Sequence, residues 1–191
     1  MNSKWNWVYN PFEKVAGWKA FGIGIVVSAI TTIVGYFGDT VFYGISVKVI
    51  PNITWGMAFS LQALGLAVTV AIMYIAALLF AKRVRFQDIL GTVTLAKYPL
   101  ILMSLLSLIF GSKLASIDVN KIINNEITFT DYNLLFVFGI ISIIVMVWVI
   151  ALLYNAFKVS TNLKGVKCGV LFTVIILISE IVTMVLVSVI Y

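Results

Sequence analysis

From Thr54 to Ala81, and again from Tyr132 to Phe157, the chain carries no charged side chain. Each stretch exceeds the roughly 20 apolar residues that cross a hydrocarbon core of about 30 Å. The rest of the chain does not dilute this character: 62% of all residues are hydrophobic and 10% are charged, against about 45 to 50% and about 25% in soluble domains. So few charges cannot cover a water-facing surface, and the lipid bilayer is the solvent this sequence implies. A length of 191 residues allows one membrane domain of several helices and no second folded module.

Charged residues divide the chain into a segment 1–19 and five apolar blocks, at about 20–47, 54–81, 86–110, 132–157 and 168–191. The first continues past Asp39, the third is interrupted by Lys97 and Pro99, and the fifth contains Glu180. Strand alternation is nowhere sustained, so the expected class is all-α, a polytopic bundle of five transmembrane helices rather than a barrel. Basic residues then orient it. Lys4, Lys14, Lys19, Lys82, Arg83, Arg85, Lys158, Lys164 and Lys167 share one side, and Lys48, Lys113 and Lys121 the other. Lys97, inside the membrane, completes the 13. Positive-inside bias therefore predicts a cytoplasmic N-terminus, an external C-terminus and a true span for the third block. The longest external loop, Gly111 to Asp131 with Asp118 and Glu126, is expected to carry a short helix lying on the membrane. No internal repeat is visible.

The residue inventory removes several chemistries. There is no histidine and one cysteine, Cys168, which argues against zinc, haem and copper sites and against histidine-dependent hydrolases and acyltransferases. Gly38-Asp39 has a faint likeness to intramembrane aspartyl proteases, but the other aspartates, Asp88, Asp118 and Asp131, fall in or beside loops. No phosphate-binding loop or catalytic triad is present. No cofactor and no nucleic-acid partner are expected, and Cys168 reads as an inert thiol ahead of an S-acylation site.

Three ionisable residues lie within the apolar blocks: Asp39, Lys97 and Glu180. Such charges face a bundle interior and are either structural or part of an ion or proton pathway. At 1.5 Å per residue Lys97 lies about 16 Å and Glu180 about 18 Å from the cytoplasmic ends of their blocks, whereas Asp39 is about 28 Å in, close to the outer surface. Matching depth and opposite sign predict an ion pair between Lys97 and Glu180. Pro99 beside it frees the carbonyl of Leu95 and predicts a kink. Gly22, Gly24, Ser28, Gly35 and Gly38 suit close packing of the first span within the monomer, or dimerisation. At the N-terminus, Asn10-Pro11 with Glu13 reads as a cap that starts an interfacial helix running to about Lys19. Its aromatic surroundings, Trp5, Trp7, Pro11 and Phe12, are either a membrane anchor or a docking surface for a partner.

Several local stretches resemble the Yip1 family of membrane proteins in its prokaryotic form. They are Asn10-Pro11-Phe12 before the first span, Phe86-Gln87-Asp88-Ile89-Leu90-Gly91 leading to Tyr98-Pro99, and Trp148 with Leu152-Leu153-Tyr154-Asn155-Ala156-Phe157 before Gly165. The resemblance covers essentially the whole chain. It implies five spans, a bacterial cytoplasmic membrane and no enzymatic activity. Of the aromatic motif of eukaryotic members only Tyr9, Pro11 and Phe12 remain, so vesicle trafficking is not implied. The expected function is that of an accessory, assembly or membrane-organising factor contacting other membrane proteins or copies of itself. The competing class is a small transporter or channel using Lys97, Glu180 and Asp39.

Overall fold

The computed structural model describes residues 6–81, 83–117 and 128–190. In chain order these form α1 (Asn6–Tyr9), a 3-10 turn (Pro11–Glu13), α2 (Gly17–Phe37), β1 (Thr40–Tyr43), β2 (Ser46–Val49), α3 (Trp55–Phe80), α4 (Phe86–Ala96), α5 (Leu100–Ala115), α6 (Phe129–Thr161) and α7 (Gly165–Ile190). Taking α4 and α5 together, five helices are long and apolar enough to cross a membrane. The chain is an all-α membrane helix bundle, with one short hairpin set into it.

That hairpin corrects the first block. The span ends at Phe37, not near Val47. Asp39 adopts a left-handed φ of 50° and turns the chain back, and its carbonyl accepts from Ile50 N at 2.7 Å, closing the base of the hairpin. β1 and β2 pair antiparallel from Thr40↔Val49 to Tyr43↔Ser46. Gly44 supplies the positive φ, 57°, that the first position of so tight a turn demands. Every residue of β1 is buried. The tip meets Gly65 of α3 and Glu180 of α7, each about 15 Å along its helix from the hairpin end of the bundle. Non-helical backbone is tolerated at such depth only when protein surrounds it, and here α2, α3 and α5 do so.

The third span is broken where Lys97 and Pro99 interrupt it, between Ala96 and Leu100. The carbonyl of Leu95 accepts from Tyr98 N at 3.1 Å, and those of Lys97 and Pro99 from Leu100 N and Leu102 N, each at 3.0 Å. These i to i+3 bonds tighten the chain into 3-10 geometry and satisfy the groups that proline disturbs. Beyond the break the helix runs on to Ala115, past the expected end near 110. The other spans keep their places with shifted ends. α6 is extended at its start by a capping box in which the Thr128 hydroxyl accepts from Asp131 N and the Asp131 carboxylate from Thr128 N. The expected surface helix with Asp118 and Glu126 falls outside the described residues.

Packing follows the small residues. α2 lies along α4 and α5, α3 along α7 and the hairpin, and α6 on the outside of α4 and α5. A Cβ added at Gly24 would lie 2.6 Å from Leu95 N; Gly91 sits against the backbone of Gly17, and Gly38 against Ser107 and Gly111. The glycines of the first span therefore serve contacts within the chain, apart from Gly22, which faces open space.

The expected interfacial helix from Pro11 to Lys19 is absent. The Asn10 side chain caps no backbone group and instead donates to Glu13 Oε1 at 2.8 Å, so only one 3-10 turn forms before Ala16 extends and α2 begins at Gly17.

Candidate functional site

Of the intramembrane charges, Lys97 lies at the break of the third span and Glu180 at the hairpin tip. Glu180, on the middle of α7, accepts from Ile45 N at 2.8 Å and Ser46 Oγ at 3.2 Å. Its carboxylate is thereby engaged with backbone and hydroxyl donors, which suit an anion buried away from water. Neighbouring residues of α7 add polar contacts: Ser179 Oγ donates to Thr69 of α3 at 3.3 Å, and Thr183 to the carbonyl of Ser179 at 2.7 Å. Lys97, 2% exposed, lies close enough to interact electrostatically with Glu180, yet its Nζ has no hydrogen-bond partner among the described residues. The expected ion pair is therefore not formed. The hairpin tip occupies the carboxylate in its place. Asp39 stands at the base of the hairpin, about 15 Å of strand from the tip, half-buried and serving the corner through its backbone. The three charges do not assemble into one site.

On the other side of the break the N-terminal segment is held by side chains of the third and fourth spans. Tyr98 OH and Trp148 Nε1 both donate to the carbonyl of Val8, at 3.2 and 3.0 Å, and Asn155 Nδ2 donates to that of Tyr9 at 2.7 Å. The rings of Tyr98 and Trp148 meet edge to face at 5.5 Å. Pro11 and Phe12 are buried in the chain's own core, so they offer no surface to a partner. Trp5 lies outside the described residues, as does the side chain of Trp7. Cys168 is wholly buried, which leaves no room for an acyl chain on its sulfur.

A different feature opens sideways. Between α2 and α3, with Phe86 and Leu90 of α4 at one end, runs a groove of about 620 Å³. Its walls include Ser28, Ala29 and Thr32 on one helix and Ala63, Ala67 and Ala71 on the other, interspersed with larger side chains such as Ile25, Phe59 and Leu66. The three alanines are exposed and spaced four apart, on one face of α3. The outer face of α6, by contrast, carries large side chains such as Ile143, Ile144 and Val147. Gln62 also lines the groove. It is 7% exposed, and no hydrogen bond satisfies its amide among the described residues.

Compared with family models, with curated proteins and with solved structures, the chain has no match in any of the three. Function therefore rests on the geometry. Sequence reading missed Ile45, Ser46 and Gln62. The first two carry a signal in retrospect: Thr40 to Val49 is a β-branched and aromatic run around a central glycine, and the first block is too long for a single span. Gln62 carried none, being a neutral side chain in a charge-free block.

Proposed function

We propose that the chain is a non-enzymatic membrane protein of Yip1 type that acts by holding another membrane protein against its lateral face, as an accessory or assembly factor. The observation that carries this reading is the small-walled groove between α2 and α3. Close approach of helix backbones at small residues drives association where lipid and protein are equally apolar, and this face leaves Ala63, Ala67 and Ala71 of α3 exposed. The buried state of Lys97, whose Nζ has no hydrogen-bond partner among the described residues, and the hairpin seated on Glu180 fit a closed bundle better than an open pathway. Basic loop residues such as Arg83, Arg85 and Lys164, at the end away from the hairpin, support a cytoplasmic N-terminus in a bacterial cytoplasmic membrane.

Native-membrane purification with quantitative mass spectrometry of the wild-type chain and Ala67→Trp tests the reading. A membrane protein recovered in fixed ratio with the wild type and lost with the groove-filling variant is expected. Ion or solute flux through the purified chain in proteoliposomes, with no such protein, would replace it by the transporter reading. That second reading is favoured by one observation, the unpartnered ammonium of Lys97 beside Glu180, and it requires the hairpin to withdraw.

A further inference from the structure

We infer that the occupant of the groove is a single transmembrane helix of a different protein, carrying a hydroxyl or carboxamide side chain that hydrogen-bonds to Gln62. This deepens the partner role above and rests on it.

Two independent features point to such a helix. The first is shape. The exposed alanines Ala63, Ala67 and Ala71 stand on one wall, facing Ser28 and Thr32 on the other, so a third helix can approach the backbone of α3 closely between larger side chains such as Ile25 and Phe59. From Phe59 to Ala71 the groove runs about 18 Å along α3, over half the thickness of a hydrocarbon core. A trough between two helices receives a ridge. It is not complementary to an identical trough, which argues against a two-fold dimer of this chain through the same face.

The second is the amide. Gln62 brings two N–H donors and a carbonyl acceptor to the groove wall, about 10 Å along α3 from Trp55. At 7% exposure it is enclosed by its neighbours on the groove wall. Acyl chains offer it no partner, and a polar group left unpaired in hydrocarbon is costly. Serine, threonine, asparagine or glutamine on a neighbouring helix both donates and accepts, which is how spanning helices pair across a bilayer. The amide thus selects a helix over a lipid tail, and sets the level at which the helix must be polar.

The test places a photoreactive benzoylphenylalanine at Ala63 or Ala71 of the full chain, irradiates native membranes, and identifies the adducts by mass spectrometry. Ile144 on the outer face of α6 serves as the lipid-facing control. Groove positions should yield peptides from one transmembrane segment of another protein, with a hydroxyl or carboxamide residue at the level of Gln62, while Ile144 yields phospholipid. Gln62→Leu should lower the groove adduct about threefold to tenfold and Gln62→Asn should largely keep it. Phospholipid adducts alone at the groove, or adducts to a second copy of this chain, overturn the inference. If a protein adduct forms at other positions while the groove holds lipid, this inference falls and the partner role survives. Absence of any protein adduct around the bundle defeats both. An adduct that is unchanged in Gln62→Leu refutes the amide contact while leaving the groove occupied.

Discussion

The third and fourth spans are opposites. The third, α4 with α5, is the least hydrophobic of the five and is broken at its middle, with 56% of its most apolar 18-residue stretch buried; α6 is the most hydrophobic and unbroken over 33 residues, with 11% of the corresponding stretch buried. Hydropathy in this bundle measures contact with lipid. The helix that looks least suited to a membrane is its centre, because protein neighbours can pair several hydroxyls and the backbone groups beside a proline, and can shield a lysine from lipid. The helix that looks best suited stands at the edge and contributes one line of side chains to the interior.

The largest effect should separate these spans by glycine substitution. Gly91 of α4 lies against the backbone of Gly17, whereas Gly139 of α6 has open space where a side chain would go. Gly91→Val should cost about 3 kcal/mol or more and reduce the yield of folded protein, while Gly139→Val should fall within about 0.5 kcal/mol. Thermal unfolding in detergent measures both. Equal losses would break the contrast between centre and edge.

Next in size are the charges. Glu180→Leu removes the acceptor of Ile45 N and Ser46 Oγ and leaves a buried backbone donor unpaired, beside an uncompensated Lys97. A loss of about 3 to 5 kcal/mol is expected. Lys97→Met removes an ammonium that has no hydrogen bond and leaves the carboxylate with both of its donors, so it should cost under about 2 kcal/mol. Equal losses for the two single variants, recovered in the double variant Lys97→Met with Glu180→Leu, would mean that the charges pair after all.

The smallest effects concern the junction between the two spans and the N-terminal segment. Trp148→Phe and Tyr98→Phe each delete one donor to the carbonyl of Val8 and should cost about 0.5 to 1.5 kcal/mol. Since both donors serve one oxygen, the double variant should lose more than the sum of the two. Proteolytic release of the N-terminal segment reads this directly. Additive losses would show that the break of the third span and α6 hold the segment independently.

Most of the architecture was legible in the sequence because it depends on local quantities. Charge-free length specifies spans, since an exposed backbone or a charge in hydrocarbon costs several kcal/mol wherever it occurs. Pro99 announced the break, and the glycines of α2 the close packing, through short-range sterics. Asp39, Lys97 and Glu180 could be ranked by depth from helix rise alone. What the three would touch was another matter. Depth specifies a level but not an azimuth, and the turn that sends Thr40 to Val49 back into the bundle depends on a recess that α2, α3 and α5 create together. Only after that recess exists does the hairpin tip reach Glu180 and displace Lys97 as its partner. The same holds for Gln62. A neutral amide in an apolar block is unremarkable as sequence, and it stands out only when two separate helices enclose it and no described residue supplies a hydrogen bond, a condition set by tertiary geometry and invisible to any local rule.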